Sequence, residues 1–314
     1  MADLAQKIRH SLTQPILPHA AFQVSSHYLS GMFVSGAERK IKERFILPLK
    51  EGVIEPSFSK KNVLDEAFLV EKVRQGAEKL HLSKKSIACL IPEPCSKISV
   101  LNFDSFPSSH KEREGIIRWQ LKKKMPFLPP DTRLSYASIE SNAKVKILVS
   151  GARTAVVKEY EDSFAKAGLR ARLVTTPTLS LYNLFEKEDR GDSIVVNIEE
   201  ESISLMVIVN GEISLYRAKP FVHHRTDKPH LSQKIEYVVT ELENTINFIH
   251  DKEGKKIDSL WIRVALIDPE GEVFSRLKER LVLPLKGMDS FLPSDLSSRE
   301  RQILAPLAGS IVKL

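Results

Sequence analysis

Apolar and polar positions alternate with two different periods along this chain, and the changes of period divide it into elements. The run "AAFQVSSHYLSGMFVS" and the shorter "RFILPL" predict the first strands of a sheet, with Gly31 and Gly36 as weak points or turns. Leu64, Phe68, Leu69, Val73, Ala77 and Leu80 then recur at helical spacing, with Asn62 or Asp65 as the N-terminal cap. "SIACLIP" and "KISVLNF" read as two strands joined by the Pro-rich turn "PEPCSK". A helix over "SSHKEREGIIRWQLKKK" stacks Ile117, Leu121 and Met125, takes Ser108 or Ser109 as its cap and stops at Pro126.

"LSYASIE" and "KVKILVSGA" follow as strands, and "TAVVKEYEDSFAKAG" as an amphipathic helix ending at Gly168. "LRARLVTTPTLSLYNLFEK" predicts a strand and then a helix from near Thr178, and the charged residues 186–193 read as an interdomain linker. In the second half, "VVNIEEESISLMVIVNGEISLYR" holds alternating runs, one pair of them joined through Asn210-Gly211, a two-residue hairpin signal. Three glutamates, Glu199, Glu200 and Glu201, stand at its other strand-to-strand turn. A helix of about 20 residues, a buried strand "SLWIRVALI", a helix "GEVFSRLKERL" and a terminal helix interrupted around Pro306 complete the chain. Strands and helices alternate in both halves, which predicts an α/β or mixed α+β protein with two lobes.

Composition narrows the possible partners. With 314 residues, 42% of them hydrophobic, the chain buries enough core for two domains or one composite one. No run of about 18 apolar residues occurs, and "MADLAQKIRHSLTQP" carries an acid at position 3 and no apolar stretch. A cytoplasmic location is therefore expected. The net charge of +7 arises from 47 basic and 40 acidic side chains, a mixed surface that argues only weakly for nucleic acid. Positive charge concentrates only in "RWQLKKKMPF", which lacks the interleaved aromatics and glycines of an RNA-binding strand pair. Cys89 and Cys95 match neither a disulfide framework nor a usual zinc spacing, and read as buried or incidental thiols. His223, His224 and His230 could converge on a metal, but their Lys-, Arg- and Pro-rich surroundings read more simply as a solvated loop, and no metal is expected. No nucleophile elbow or Walker-type loop is present.

Two segments carry a resemblance. "ACLIPEPCSKISVLNFDSFP" followed by "EGIIRWQLKKKMPFLPPDTRLSYASIE" resembles the PilM family, the actin-like proteins of type IV pilus assembly, and more distantly FtsA and the cytoplasmic part of GspL. The shared features fall on residues 90–92 and on Trp119, Pro126, Phe127 and Tyr136, and "FAKAGLRARLVTTPTLSLYNLF" matches the return to the first lobe. The resemblance implies a two-lobed actin-like, ribonuclease H-like fold with an α+β subdomain inserted in the first lobe. Its implied organisation is lobe I over 1–85, the inserted docking subdomain over 86–165, a return to lobe I over 166–190, and lobe II, with a reduced outer subdomain, over 191–314.

In an actin-like fold, nucleotide lies between the lobes on three backbone turns, two with an Asp-x-Gly core and one with a Gly pair. Each turn departs from that pattern. The first has Gln23-Val24-Ser25, without the carboxylate linked to Mg²⁺; the second has Asn197-Ile198-Glu199 followed by two further glutamates; the third keeps only Gly271 after Asp268, Pro269 and Glu270. A carboxylate about 4 Å from a phosphate oxygen costs roughly 4 kcal/mol at an effective dielectric of 20. The expectation is a pseudo-ATPase with no ATP, Mg²⁺ or other cofactor. An active actin-like ATPase is one alternative, a basic nucleic-acid-binding protein another.

The resemblance further implies a partner, the N-terminal cytoplasmic tail of a PilN-like bitopic membrane protein, received between lobe I and the inserted subdomain. Together with other pilus assembly components, it would hold the chain at the cytoplasmic face of the inner membrane. The helix at 114–125 has two readings. Its apolar stripe packs on a sheet while its cations are solvated, or Arg118, Trp119, Lys122, Pro126 and Phe127 line the docking groove.

Overall fold

Two five-stranded sheets of the same topology form the body of the molecule. The structure, a computed structural model, describes residues 17–82, 85–125, 128–139, 145–185, 191–221, 230–268 and 271–311. Lobe I is built from β1 (Ala20–Val24), β2 (Tyr28–Ser35), β3 (Lys40–Pro48), β4 (Ser86–Leu90) and β8 (Arg170–Thr175), in the order β3-β2-β1-β4-β8. Lobe II repeats the arrangement with β9 (Ser193–Ile198), β10 (Ser202–Val209), β11 (Glu212–Pro220), β12 (Ser259–Val264) and β13 (Leu285–Gly287), in the order β11-β10-β9-β12-β13. In each lobe an antiparallel meander of three strands is extended by two parallel ones.

The parallel strands are reached through helices, as their geometry requires. Helices α1 (Glu66–Lys79) and α3 (Thr154–Lys166) cover the outer face of the lobe I sheet, where Leu69, Val73, Tyr160 and Phe164 join Phe22 and Ile87 in one core. Asp65 caps α1 by accepting from the Phe68 N–H at 3.0 Å. Helices α5 (Leu231–Glu253) and α6 (Glu272–Arg280) cover the outer face of lobe II. Between the lobes lie α4 (Pro177–Tyr182) and α7 (Ser298–Ile311), whose Leu181, Leu304 and Leu307 meet Ala21, Met32 and Leu90 from one sheet and Val195, Met206 and Ile208 from the other.

This sandwich explains β10, which is buried at all eight positions: its alternate side chains fill two different cores. The Asn210-Gly211 turn joins β10 to β11 with both residues in the left-handed region (φ 53° and 75°), where glycine is unstrained and asparagine tolerated. Both cysteines are buried and free, and Cys95 donates to Asn62 Oδ1 at 3.0 Å.

A third sheet, β5-β7-β6, stands on lobe I, formed by β5 (Ser96–Phe103), β6 (Thr132–Ile139) and β7 (Val145–Arg153) and covered on one face by α2 (His110–Lys124). The separate unit is narrower than 86–165, because β4 pairs with β1 and α3 packs into the lobe I core. One further expectation is corrected. The terminal helix is not interrupted at Pro306 but runs through it, for a reason found in the cleft.

Candidate functional site

The hairpin turns of the two lobes face each other across the cleft. Residues 25–28 join β1 to β2, closed by the Ser25 N–H on the Tyr28 carbonyl at 2.9 Å, and residues 199–202 join β9 to β10, closed by the Glu199 N–H on the Ser202 carbonyl at 3.0 Å. A glutamate side chain bridges them directly: the Ser26 N–H donates to Glu201 Oε1 at 3.2 Å.

Beneath the turns sits Arg263, which projects from β12 and is wholly buried. Nη1 donates to Glu199 Oε1 at 2.5 Å and to Asn197 Oδ1 at 2.6 Å, Nη2 donates to Tyr28 Oη at 2.9 Å, and Nε donates to the Gln302 carbonyl at 2.6 Å. Longer contacts from Nη2 reach Gln23 Oε1 at 3.4 Å and the Ile303 carbonyl at 3.3 Å, so the guanidinium's five donors all have acceptors. Gln23 Nε2 donates to Tyr28 Oη and to Glu199 Oε1, at 3.0 and 2.9 Å, and Tyr28 Oη donates to Glu199 Oε2 at 3.3 Å.

Pro306 belongs to this arrangement. The Gln302 carbonyl lies four residues before it, and a proline has no N–H to offer that oxygen. Arg263 Nε takes the vacated place, so the helix passes through its proline with the freed acceptor satisfied.

The other glutamates are also engaged. The Lys234 ammonium from α5 bonds Glu200 Oε1 and its carbonyl oxygen, and Glu200 Oε2 accepts from the Ile267 N–H at 3.1 Å. Burial works against the Glu200 carboxylate, but Lys234 brings its pKa below the ordinary value. Burial and the neighbouring Glu199 carboxylate push Glu201 up to about 8. Burial also works against charge on Arg263, yet Glu199 holds its pKa above the ordinary value, while burial raises that of Tyr28.

At the third turn Asp268 accepts from the Glu272 and Val273 N–H groups at 2.9 and 3.0 Å, capping α6, and Gly271 takes a left-handed φ of 69°. Pro269 and Glu270 lie outside the described residues. A second polar patch adjoins the cleft: Glu93 accepts from the Thr178 N–H at 2.7 Å and from Tyr216 Oη at 2.5 Å, and Asn197 Nδ2 donates to Thr178 Oγ1 at 3.2 Å.

The anticipated docking residues lie elsewhere. On α2, Arg118 is held by Glu114 Oε1 at 2.8 Å and by the Thr132 carbonyl at 3.0 Å; Trp119 is 54% exposed with Lys123 Nζ 3.4 Å from its ring centroid; Lys122 is exposed. Pro126 and Phe127 lie outside the described residues, as do His223 and His224; His230 is the N-cap residue of α5. Among the described residues no cluster of His, Cys, Asp or Glu could hold a metal.

The groove between lobe I and the inserted sheet, a cavity of about 290 Å³, lies on the sheet face opposite α2. Ile147 and Val149 of β7 point to α2, while Ser150 lines the groove with Arg133, Arg172 and Val174. Thr176 Oγ1, buried at its edge, has no hydrogen-bond partner among the described residues.

With this geometry, the chain aligns with a solved PilM–PilN type IV pilus biogenesis complex over 96% of its own length and 98% of that chain, at TM-score 0.73 and 16% identity. The fold is PilM-like and actin-like. Two further solved structures are similar at greater distance. One is a Bacteroides thetaiotaomicron protein of actin-like ATPase fold and unknown function (TM-score 0.57, 12% identity, 93% of this chain and 96% of that one). The other is the cytoplasmic domain of EpsL, an inner-membrane component of the type II secretion system of Vibrio cholerae (TM-score 0.52, 9% identity, 92% and 94%). No family model matches the chain, and no curated protein matches it in sequence.

In this PilM-like fold the expected two lobes and inserted subdomain are present, and the departures at the turns acquire a physical content. The glutamates are not a free acidic tip, because Arg263, Lys234 and the Ser26 N–H take all three. Composition had missed Arg263, Tyr28 and Lys234. The available signal was an arginine in the middle of the apolar run "SLWIRVALI", since a charge there must find a buried partner.

Proposed function

We propose that the chain is a pseudo-ATPase scaffold of a type IV pilus or related secretion machine, whose cleft is closed by its own side chains where a relative would hold Mg-ATP. The Arg263 network carries this reading. Arg263 pairs with Glu199 and reaches Tyr28 of the other lobe, and Glu201 gives the Ser26 N–H the acceptor oxygen that such a turn would otherwise take from phosphate. Removing one partner from a buried pair costs about 3–5 kcal/mol. A ligand that must open this one loses roughly 10²- to 10⁴-fold in affinity.

The scaffold's work is then binding. Its partner is the N-terminal tail of a PilN-like bitopic protein, which would keep it at the cytoplasmic face of the inner membrane. Among the described residues no helix is long and apolar enough to cross a membrane. The groove beside β8 favours an extended segment, because β8 and β6 are both edge strands and the orphaned Thr176 hydroxyl lies at their junction. The exposed Trp119 on α2 supports a second site.

A pull-down with the cytoplasmic tails of membrane proteins encoded alongside this chain separates the two. A tail in the groove is lost with Arg172→Glu and kept with Trp119→Ala; a tail on α2 gives the reverse. Capture of no such tail by the wild-type protein would sink the scaffold reading.

A further inference from the structure

Lobe II carries a groove that neither the cleft nor the inserted subdomain uses. It runs between the C-terminal ends of α5 and α6, with a volume of about 880 Å³. Its wall is apolar: Ile246 from α5, Ile257 from the strand approach, and Leu281, Val282 and Leu283 after α6. Val282 is fully exposed, at 101%, one of only four large hydrophobic residues exposed among the described residues. Its neighbour Leu281 turns inward to the lobe II core, so the chain had an apolar partner for one residue and left the next in water.

The rim is net cationic, with Lys255, Lys256 and Arg280 against one acid among the described residues, Glu243. Lys255 and Lys256 stand just beyond the left-handed Gly254 that ends α5, and Arg280 closes α6. The carbonyl ends of two helices account for cations at this place. They do not account for a fully exposed valine between them. Arg280 pairs with Glu236 at 3.3 Å and Glu243 at 3.9 Å, contacts between half-exposed groups that exchange readily for another carboxylate. Lys255 donates to Asn210 Oδ1 at 3.1 Å, while Lys256 is exposed with no polar contact among the described residues.

We infer that this groove docks an acidic segment of a partner protein, one aliphatic side chain seated against Val282 and Ile246 and flanking carboxylates on Lys255, Lys256 and Arg280. The occupant follows from charge complementarity: an apolar floor whose rim carries Lys255, Lys256 and Arg280 against the acid Glu243 fits aliphatic residues bordered by Asp or Glu and disfavours a basic helix. The inference does not depend on the closed cleft or on the tail groove, since it shares no residue with either.

Fluorescence anisotropy tests it with two labelled 14-residue amphipathic peptides, identical in their leucines, one with Glu and the other with Lys at every polar position. The intact protein is expected to bind the acidic peptide saturably and at least tenfold more tightly than the basic one, with affinity falling as salt rises. Lys255→Glu with Lys256→Glu, and separately Val282→Asp, are each expected to weaken it tenfold or more. These side chains are exposed or half-buried, and an unchanged melting temperature checks the fold. Equal binding of the two peptides, no saturable binding of the acidic one, or full binding by either variant overturns the inference. Self-association in sedimentation velocity that Val282→Asp abolishes would also overturn it, by assigning the groove to a second copy of the chain.

Discussion

At the scale of single residues, the molecule turns on where Arg263 finds its acceptors. A guanidinium in the middle of a buried strand is costly unless every donor is used, and here the five donors meet oxygens from both lobes and from α7. Arg263→Ala leaves the Glu199 carboxylate buried and unpaired and is expected to cost about 3–5 kcal/mol in urea unfolding. Adding Glu199→Ala removes the stranded charge, so the double variant is expected to be more stable than Arg263→Ala alone; additive losses would contradict the pairing. Glu201 gives a pH signature. Its carboxyl titrates near 8 in the folded protein against an ordinary 4.5, so the folded chain holds the proton more tightly. The resulting stabilisation is complete below pH 4.5 and is lost as pH rises through 8, with a slope of at most about 1.4 kcal/mol per pH unit. Glu199, Glu200 and His27 face the same group. Glu201→Gln is expected to flatten the fall of melting temperature across that window, and an unchanged slope would remove Glu201 as its source.

At the scale of elements, periodicity served well wherever one face was buried and one exposed, as in α1, α3 and α5. It also placed the Asn210-Gly211 turn, because a type I′ hairpin needs two residues that tolerate positive φ. It failed at Pro306, where the local rule is right about the missing N–H but tertiary structure supplies another donor. Nor could it foresee α7 wedged between two sheets, a position decided by close approach. A Cβ on Gly309 would stand 1.9 Å from the Ser180 carbonyl oxygen of α4. Backbone cannot yield as a flexible side chain does, so Gly309→Ala is expected to destabilise by about 2 kcal/mol or more in chemical denaturation. A loss below about 0.5 kcal/mol would show that the α4–α7 contact is looser than described.

At the scale of the whole molecule, the fold was legible through the segments that resemble PilM and through the alternation of strands and helices in both halves. The site was legible only as a set of departures. Gln23, Asn197 and Glu199 could be recognised as wrong for phosphate, but their joint use of Arg263 joins residues as far apart as 23 and 263, and local sequence carries no trace of it. The candidate docking residues divide similarly: Trp119 and Arg118 stand out in the sequence, whereas the groove beside β8 exists only once two sheet edges meet. In the proposed scaffold the protein's own side chains occupy the interlobe cleft. Isothermal titration of the full chain with Mg-ATP tests this most directly. Heats indistinguishable from dilution, or a dissociation constant weaker than about 1 mM, are the predicted result. A dissociation constant tighter than about 100 μM would contradict the account.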